Sequence, residues 1–301
     1  MNETPKTASP GKLSSRMAMA FVLAAGTTWG SIGLFSRGLS SAGISPASIA
    51  IVRNVGSCLM LFFFFLLADR SVFRIQLRHL PYFFGTGFLS VFLFTTCYFR
   101  NLEISSLAVA AILLYTAPAI VVILSTIVFK DKLTKKKLSA LIITFLGCTF
   151  VSGIWNSGSL SISIQGLLFG LGSGFFYALY SIFSRVALRY YKPFTVTFYT
   201  FVIAAISSLI FCLDTGEISY LLSSPRTILF GLGLVFFATV LPYLFYTKGL
   251  NDLGDSGKAS ILASVEPVVA SLIGILVFGE AMTIGVILGL LCILVSVYIL
   301  R

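Results

Sequence analysis

Apolar stretches of about twenty residues recur along almost the whole chain, separated by short connections that hold most of its charge. A helix needs about 20 residues to cross the ~30 Å hydrocarbon core of a bilayer. Ten such segments are read: 17–36, 46–68, 81–100, 106–129, 137–155, 165–188, 193–213, 226–248, 257–279 and 281–300. Most are hydrophobic all round, so length rather than periodicity marks them as helices. The strands of a membrane barrel would instead show segments of about ten alternating residues. Composition closes the other routes. Charged residues make up 10% of the chain and hydrophobic ones 57%, where a soluble domain carries about 25% charge. A soluble globule of this size could not hide that much apolar surface. Richness in Phe, Leu and Ile excludes disorder, and five Cys in 301 residues exclude a disulfide scaffold. The expected fold class is an all-α integral membrane protein of ten transmembrane helices.

Basic residues orient the spans. With the N-terminus in the cytoplasm, the inner segments hold Lys6, Lys12, Arg16, Arg70, Arg74, Arg78, Lys130, Lys132, Lys135, Lys136, Lys137, Arg185, Arg189, Lys192, Lys248, Lys258 and Arg301. The outer segments hold only Arg37, Arg100 and Arg226, and Arg53 lies within a span. This asymmetry places both termini in the cytoplasm and agrees with an even number of spans. The net charge of +11 follows from the same bias and calls for no nucleic acid. The lysines from Lys130 to Lys137 also suit anionic lipid headgroups. Residues 1–15 are polar, with Pro5 and Pro10, and are expected to be a disordered cytoplasmic tail. The first span has no clear small-residue cleavage site and is followed at once by further spans, so it reads as a retained signal anchor. The setting expected is multi-pass, in the plasma membrane.

The chain also repeats itself. Leu114-Tyr-Thr-Ala-Pro118 aligns with Ala263-Ser-Val-Glu-Pro267, and Ile127-Val-Phe-Lys-Asp131 aligns with Leu276-Val-Phe-Gly-Glu280, both at an offset of 149. Phe35-Ser-Arg37 aligns with Phe183-Ser-Arg185, and Tyr98 to Leu102 with Tyr246 to Leu250, both at 148. The unit is therefore five spans, 16–156 and 165–301. Because five is odd, the second copy enters the membrane from the opposite side, which makes the repeat inverted. Inverted repeats are characteristic of secondary transporters. The charges agree with inversion: Asp131 sits among lysines on the inside, whereas Glu280 is expected to stand with no Lys or Arg nearby on the outside.

The five-span repeat, the prolines of spans 4 and 9 and the acidic residue after each of those spans (Val128-Phe-Lys-Asp131, Val277-Phe-Gly-Glu280) resemble the EamA branch of the drug/metabolite transporter superfamily. Arg53 in span 2 matches a common feature of that family. The resemblance covers residues 17–300 and implies ten helices, two repeats and transport of small organic metabolites. The first repeat departs from the pattern, with Lys-Asp where Gly-Glu is usual. Leu262-Ala-Ser-Val-Glu266-Pro267 is similar to a subset of the family that includes amino-acid exporters.

Two ionisable groups lie deep in the spans. At 1.5 Å per residue Arg53 sits about 10 Å from the outer end of its helix, and Glu266 about 13 Å from the inner end of its own. A charge at the bilayer centre costs at least ~2.5–3.5 kcal/mol, so an intramembrane ionisable group is a functional candidate by default. Glu266 suits a cationic amine or a transported proton, and the planar fork of Arg53 suits a carboxylate. The alternative is an Arg53–Glu266 or Arg53–backbone pair that only holds helices together. Pro118 and Pro267 leave the carbonyls of Leu114 and Ala263 without their usual donor. Helix breaks at matching places in two repeats point to a central site, though a kink for packing is the plain alternative. Pro242 has no repeat partner and reads as a kink. Trp29, Tyr98, Tyr115, Tyr177, Tyr180, Tyr243 and Tyr246 are candidates to line a cavity and hold an amine against their ring faces. Tyr98 and Tyr246 lie near span ends, where the interfacial aromatic belt competes. Trp155 and Tyr298 read as belt. Gly26 and Gly30, and Gly166, Gly170 and Gly174, form small-residue stripes for close packing. Gly170-Leu-Gly172-Ser-Gly174 lacks the spacing of a nucleotide fingerprint. Cys58, Cys97, Cys148, Cys212 and Cys292 all fall in spans, and the single His79 lies in an inner connection. No metal site or cofactor is expected from this set.

The leading expectation is thus a secondary transporter of a small organic metabolite, with amino acids and their derivatives favoured. It would work by alternating access, coupled to protons or to exchange, as a monomer or homodimer in contact with membrane lipid. The alternatives are a drug or cation exporter of the same fold and a membrane-embedded enzyme acting on lipid or isoprenoid substrates. The enzyme needs clustered Asp, Glu or His, and a channel needs charge rings; neither pattern is seen.

Overall fold

The computed structural model describes residues 14–154, 163–211, 217–222 and 224–301. The expected terminal tail up to residue 13, Trp155 and Cys212 lie outside these. Each of the ten expected segments is helical. They are α1a (Ser15–Trp29), α1b (Ile32–Ser40), α2 (Pro46–Ala68), α3 (Leu77–Ile104), α4a (Leu107–Leu114), α4b (Ala117–Phe129), α5 (Lys135–Val151), α6 (Ile164–Ala187), α7 (Pro193–Phe211), α8 (Pro225–Leu253), α9a (Ser256–Ala263), α9b (Glu266–Phe278) and α10 (Ile284–Leu300). Eight spans are long and apolar enough to cross a membrane. The other two, α5 and α10, have 17 residues each, the short end of the spanning range. The surface agrees: Leu67 is 88% exposed and Leu276 81%, which only lipid tolerates over so wide an area. Polar side chains such as Asn54, Ser57, Thr86, Thr200 and Thr247 are buried instead.

Sequence sets where the helices begin and end. Ser14, Ser106, Thr134, Ser163, Asp255 and Thr283 each cap a helix by accepting a backbone N–H three residues on. This satisfies a donor that has no intrahelical partner. These caps form pairs 149 residues apart (14/163, 106/255, 134/283), so the repeat is written into the helix starts as well. At the other end, Lys130 and Gly279 stop α4b and α9b in the left-handed conformation, at φ 56° and 67°. At the membrane surface, hydrogen bonds from the Ser45 N–H and the Ser48 hydroxyl tie Glu217 to the start of α2 and hold its carboxyl below the usual range.

Exchanging the two halves maps the packing onto itself. α1 packs on α8 and α9 as α6 packs on α3 and α4, while α2 meets α7, α4 meets α9 and α5 meets α10. Partners related by the repeat run antiparallel where they touch. Thr144 reaches Ser296 while Gly147 lies against Gly289; Asn54 reaches Ser208 while Phe65 stacks on Phe194. The two five-helix units are therefore inverted relative to one another.

Three departures from a plain helical bundle shape the centre. α4 and α9 break at Tyr115–Thr116 and Ser264–Val265, just before Pro118 and Pro267. α3 and α8 widen into π-helical turns at Gly85–Phe92 and Phe236–Val240. There Ser90 and Thr239, 149 apart, each donate to a carbonyl five residues back. Such bulges concentrate at functional sites. α1 breaks at Gly30–Ser31, where a continuous span was expected. The hydroxyls of Thr28 and Ser31 bond to nearby carbonyls and compete with the helical ladder.

Glycines let α1 and α6 lie directly on the breaks of α9 and α4. A Cβ at Gly26 would sit 2.5 Å from the Ala263 carbonyl oxygen, and one at Gly174 would sit 2.8 Å from that of Leu113. Gly26→Ala and Gly174→Ala are each expected to destabilise the protein by about 1–3 kcal/mol, the usual cost of overpacking. Gly33→Ala, which meets nothing within 4 Å, is expected not to. Thermal unfolding of the three detergent-purified variants checks this.

Candidate functional site

The breaks of α4 and α9 face each other across one small cavity, and a second adjoins it beside α9a. One is lined by Leu114, Tyr115, Ala117, Pro118, Tyr177, Ser260, Ala263, Ser264 and Glu266, with a volume of about 20 Å³. The other is lined by Trp29, Ser90, Tyr177, Tyr180, Ser181, Tyr243, Tyr246, Ser260 and Ala263, with a volume of about 10 Å³. Tyr177, Ser260 and Ala263 border both. Each has room for roughly one water molecule, so the centre is closed around its lining in this conformation.

The aromatic contacts around the cavities partly follow the repeat, although Phe94 and Tyr98 border neither cavity. Trp29 and Tyr177 are 148 residues apart and meet edge to face, with centroids 6.4 Å apart. Trp29 also packs on Tyr243 and Tyr246 at 5.3 Å each. Tyr177 packs on Phe94, the counterpart of Tyr243, at 5.3 Å. Phe94 in turn contacts Tyr98, the counterpart of Tyr246. The hydroxyls are held as well: Tyr180 pairs with Thr247 at 2.8 Å and Tyr246 with Ser181 at 2.6 Å. Tyr246 is 3% exposed, which sets aside the interfacial-belt reading for it.

The charges are not duplicated. Glu266 opens α9b, where the helix dipole favours an anion. The residue 149 before it is Ala117, on the same cavity wall. Arg53 is buried on α2; one terminal nitrogen donates to the Tyr243 hydroxyl at 3.3 Å, and its Nε has no partner. Phe201, 148 residues on, packs edge to face on Tyr243 at 5.0 Å. Among the described residues Glu266 makes no ion pair and no side-chain hydrogen bond. The helix-holding Arg53–Glu266 pair weighed from the sequence does not form. Arg53 itself borders neither cavity and reaches the site through Tyr243.

Several lining residues were not singled out from the sequence: Ser90, Ser181, Ser260 and Ser264. For Ser90, Ser260 and Ser264 the signal is a hydroxyl within one or two turns of a proline break or π turn; Ser181, on the continuous α6, carries no such signal. A second miss lies at the helix ends. Glu280, which has no basic neighbour in sequence, is met by Arg37 at 2.6 Å. Among the described residues no group of three His, Cys, Asp or Glu could hold a metal ion.

Comparison with known proteins gives two matches to one sequence family, described as the EamA-like transporter family, at residues 16–153 and 164–301. The chain belongs to this family. A relative from Archaeoglobus fulgidus, named only as an uncharacterized transporter, is 30% identical over 70% of this chain and 74% of its own. The uncharacterized transporter YyaM of Bacillus subtilis is 28% identical over 84% of this chain and 83% of its own. The uncharacterized inner membrane transporter YicL of Salmonella typhimurium is 27% identical over 95% and 96%. A protein crystal structure at 17% identity superposes with a TM-score of 0.80 over 95% of this chain and 96% of that one, which establishes the same fold. This EamA-like chain is thus a multi-pass membrane protein of a transporter family.

The lack of any partner for Glu266 has a thermodynamic consequence. A partly buried, unpaired carboxylate on a cavity with room for one water is retained at a cost in stability. Glu266→Gln is expected to leave the melting temperature of the purified protein unchanged or raised. Trp29→Ala, by contrast, is expected to lose about 3–5 kcal/mol. A fall with Glu266→Gln as large as that with Trp29→Ala would make the carboxylate a structural group.

Proposed function

We propose that this protein is a secondary transporter of a small organic metabolite, with an amino acid or amino-acid derivative favoured, working by alternating access in the plasma membrane. The observation that carries this reading is the partnerless Glu266 carboxylate at the junction of two inverted repeats, set beside an aromatic cage. Glu266 takes the substrate's amine, the rings of Trp29, Tyr177, Tyr243 and Tyr246 pack its apolar part, and Arg53 takes its carboxylate once the cage opens. Both termini then face the cytoplasm, as the distribution of Lys and Arg requires. With two substrate-facing charges of opposite sign, a zwitterion leaves neither unpaired, which suits a low-dielectric site.

Transport rather than chemistry on the substrate agrees with the family. Glu266 also offers a proton site, so that substrate and proton exchange on one carboxylate. A second reading, export of an organic cation, draws support from one fact: Arg53 borders neither cavity, so the lining as it stands bears only negative charge.

Proteoliposomes test the proposal. Thermal shift against amino acids, amines and nucleosides selects a ligand, since a ligand that binds only the folded form raises its stability. Wild-type vesicles are then expected to show saturable counterflow and accumulation driven by a pH gradient. Losing one charge-assisted contact, about 1.5–3 kcal/mol, should weaken binding by Glu266→Gln roughly ten- to a hundredfold and abolish the pH-driven component. Arg53→Gln is expected to weaken zwitterions and spare plain amines. Accumulation by Glu266→Gln with unchanged affinity and pH dependence would remove the carboxylate from the site.

A further inference from the structure

The same four-part assembly stands at both ends of the molecule. At one end Arg185 of α6 grips Asp131 through both terminal nitrogens, at 2.5 and 2.9 Å, and its guanidinium lies 4.3 Å from the centre of the Phe129 ring. At the other end Arg37 of α1b binds Glu280 at 2.6 Å and lies 4.6 Å from the centre of Phe278. In each case the acid follows a left-handed residue, Lys130 or Gly279. In each case its N–H turns back onto the helix, from Asp131 to Ser125 and from Glu280 to Gly274. Every part recurs at 148 or 149 residues: Arg37 and Arg185, Phe129 and Phe278, Asp131 and Glu280, Ser125 and Gly274. Because α4 and α9 are antiparallel, the two assemblies lie on opposite faces of the membrane.

Their placement matters more than their symmetry. Arg37–Glu280 joins α1 to α9, the pair that also meets where Gly26 lies on the α9 break. Arg185–Asp131 joins α6 to α4, which meet where Gly174 lies on the α4 break. Each pair of helices runs from the central cavities to one face and is tied at that face. Both ties are made in the structure, and the centre is closed.

We propose that Arg37–Glu280 and Arg185–Asp131 are a matched pair of gate latches, of which one opens at a time. This rests on the alternating-access reading given above. The latches are not equal. The side chains of Arg185 and Asp131 are 20% and 11% exposed, those of Arg37 and Glu280 47% and 48%. A bidentate, shielded pair is stronger than a single exposed contact screened by water and salt. The Asp131 face is therefore the one held shut, and the protein without substrate opens more often at the Glu280 face.

The test needs no knowledge of the substrate. In a full-length protein with its native cysteines replaced, Ser260→Cys places a thiol on both cavities, and a membrane-impermeant maleimide is applied from each face of sealed vesicles. With the latches intact, labelling is expected to be faster from the Glu280 face. Asp131→Asn should raise labelling from the Asp131 face about tenfold, a shift of the size that loss of a charge-assisted pair produces, and slow it from the other. Glu280→Gln should favour its own face further. The exchanged pair Asp131→Arg with Arg185→Asp should return labelling toward the starting pattern, which also controls for misfolding of a single variant. Labelling that reaches residue 260 but ignores both latch variants, or moves to the same face in both, overturns the latches and leaves the cavity reading standing. A thiol at 260 that is labelled from neither face in any variant overturns both.

Discussion

Inside a bilayer no water stands ready to replace a lost backbone hydrogen bond, and the architecture follows from that. Continuous helices satisfy their own N–H and C=O groups, which is why the chain is helical wherever it meets lipid. A break is tolerated only where protein shields it. The interruptions of α4 and α9 obey this rule: Gly174 and Gly26 lie directly over them, and the Thr116 hydroxyl adds a hydrogen bond to Leu113. The freed polar backbone is thus confined to the middle of the molecule, where the cavities are.

Duplication built the frame, and divergence supplied the chemistry. The π turns, the helix caps and the terminal ion pairs all appear in both halves, and the aromatic contacts follow the repeat in part. Arg53 and Glu266 appear once each, facing Phe201 and Ala117 across the pseudo-symmetry. A site made only of duplicated parts would present the same surface twice. In the binding mode proposed above, the two unmatched charges would give a polar substrate a negative and a positive end to lie between. The α1 break, absent from the continuous α6, adds a second asymmetry beside Trp29.

Much of this was legible in the chain. Length of apolar run located all ten helices, and the offset of 148 to 149 exposed the inverted halves before any coordinates. The prolines marked the breaks because the missing amide hydrogen acts locally. What stayed hidden was of another kind. The π turns depend on hydroxyls such as Ser90 and Thr239 choosing a carbonyl five residues back, a choice that sequence does not encode by itself. Arg37 and Glu280 are 243 positions apart, so their meeting is a property of packing. Yet both members carry the repeat offset, and pairing the repeated arginines with the repeated acids would have anticipated the contact. Tyr246 lies inside rather than at the interface partly because α8 runs on to Leu253, past the expected end at 248.

The contact of Gly26 with the Ala263 carbonyl of α9 is one of backbone against backbone, with the Val265 side chain beside it. Such a point behaves as a fulcrum. From Gly26 to Arg37 is roughly 16 Å at 1.5 Å per residue, through the break between α1a and α1b at Gly30–Ser31. A lever of that length tilted by about 10° carries its tip about 3 Å, enough to pull a guanidinium out of hydrogen-bond reach while the pivot scarcely moves. Rotation too slight to disturb the buried core would then suffice to part the helices at the membrane surface.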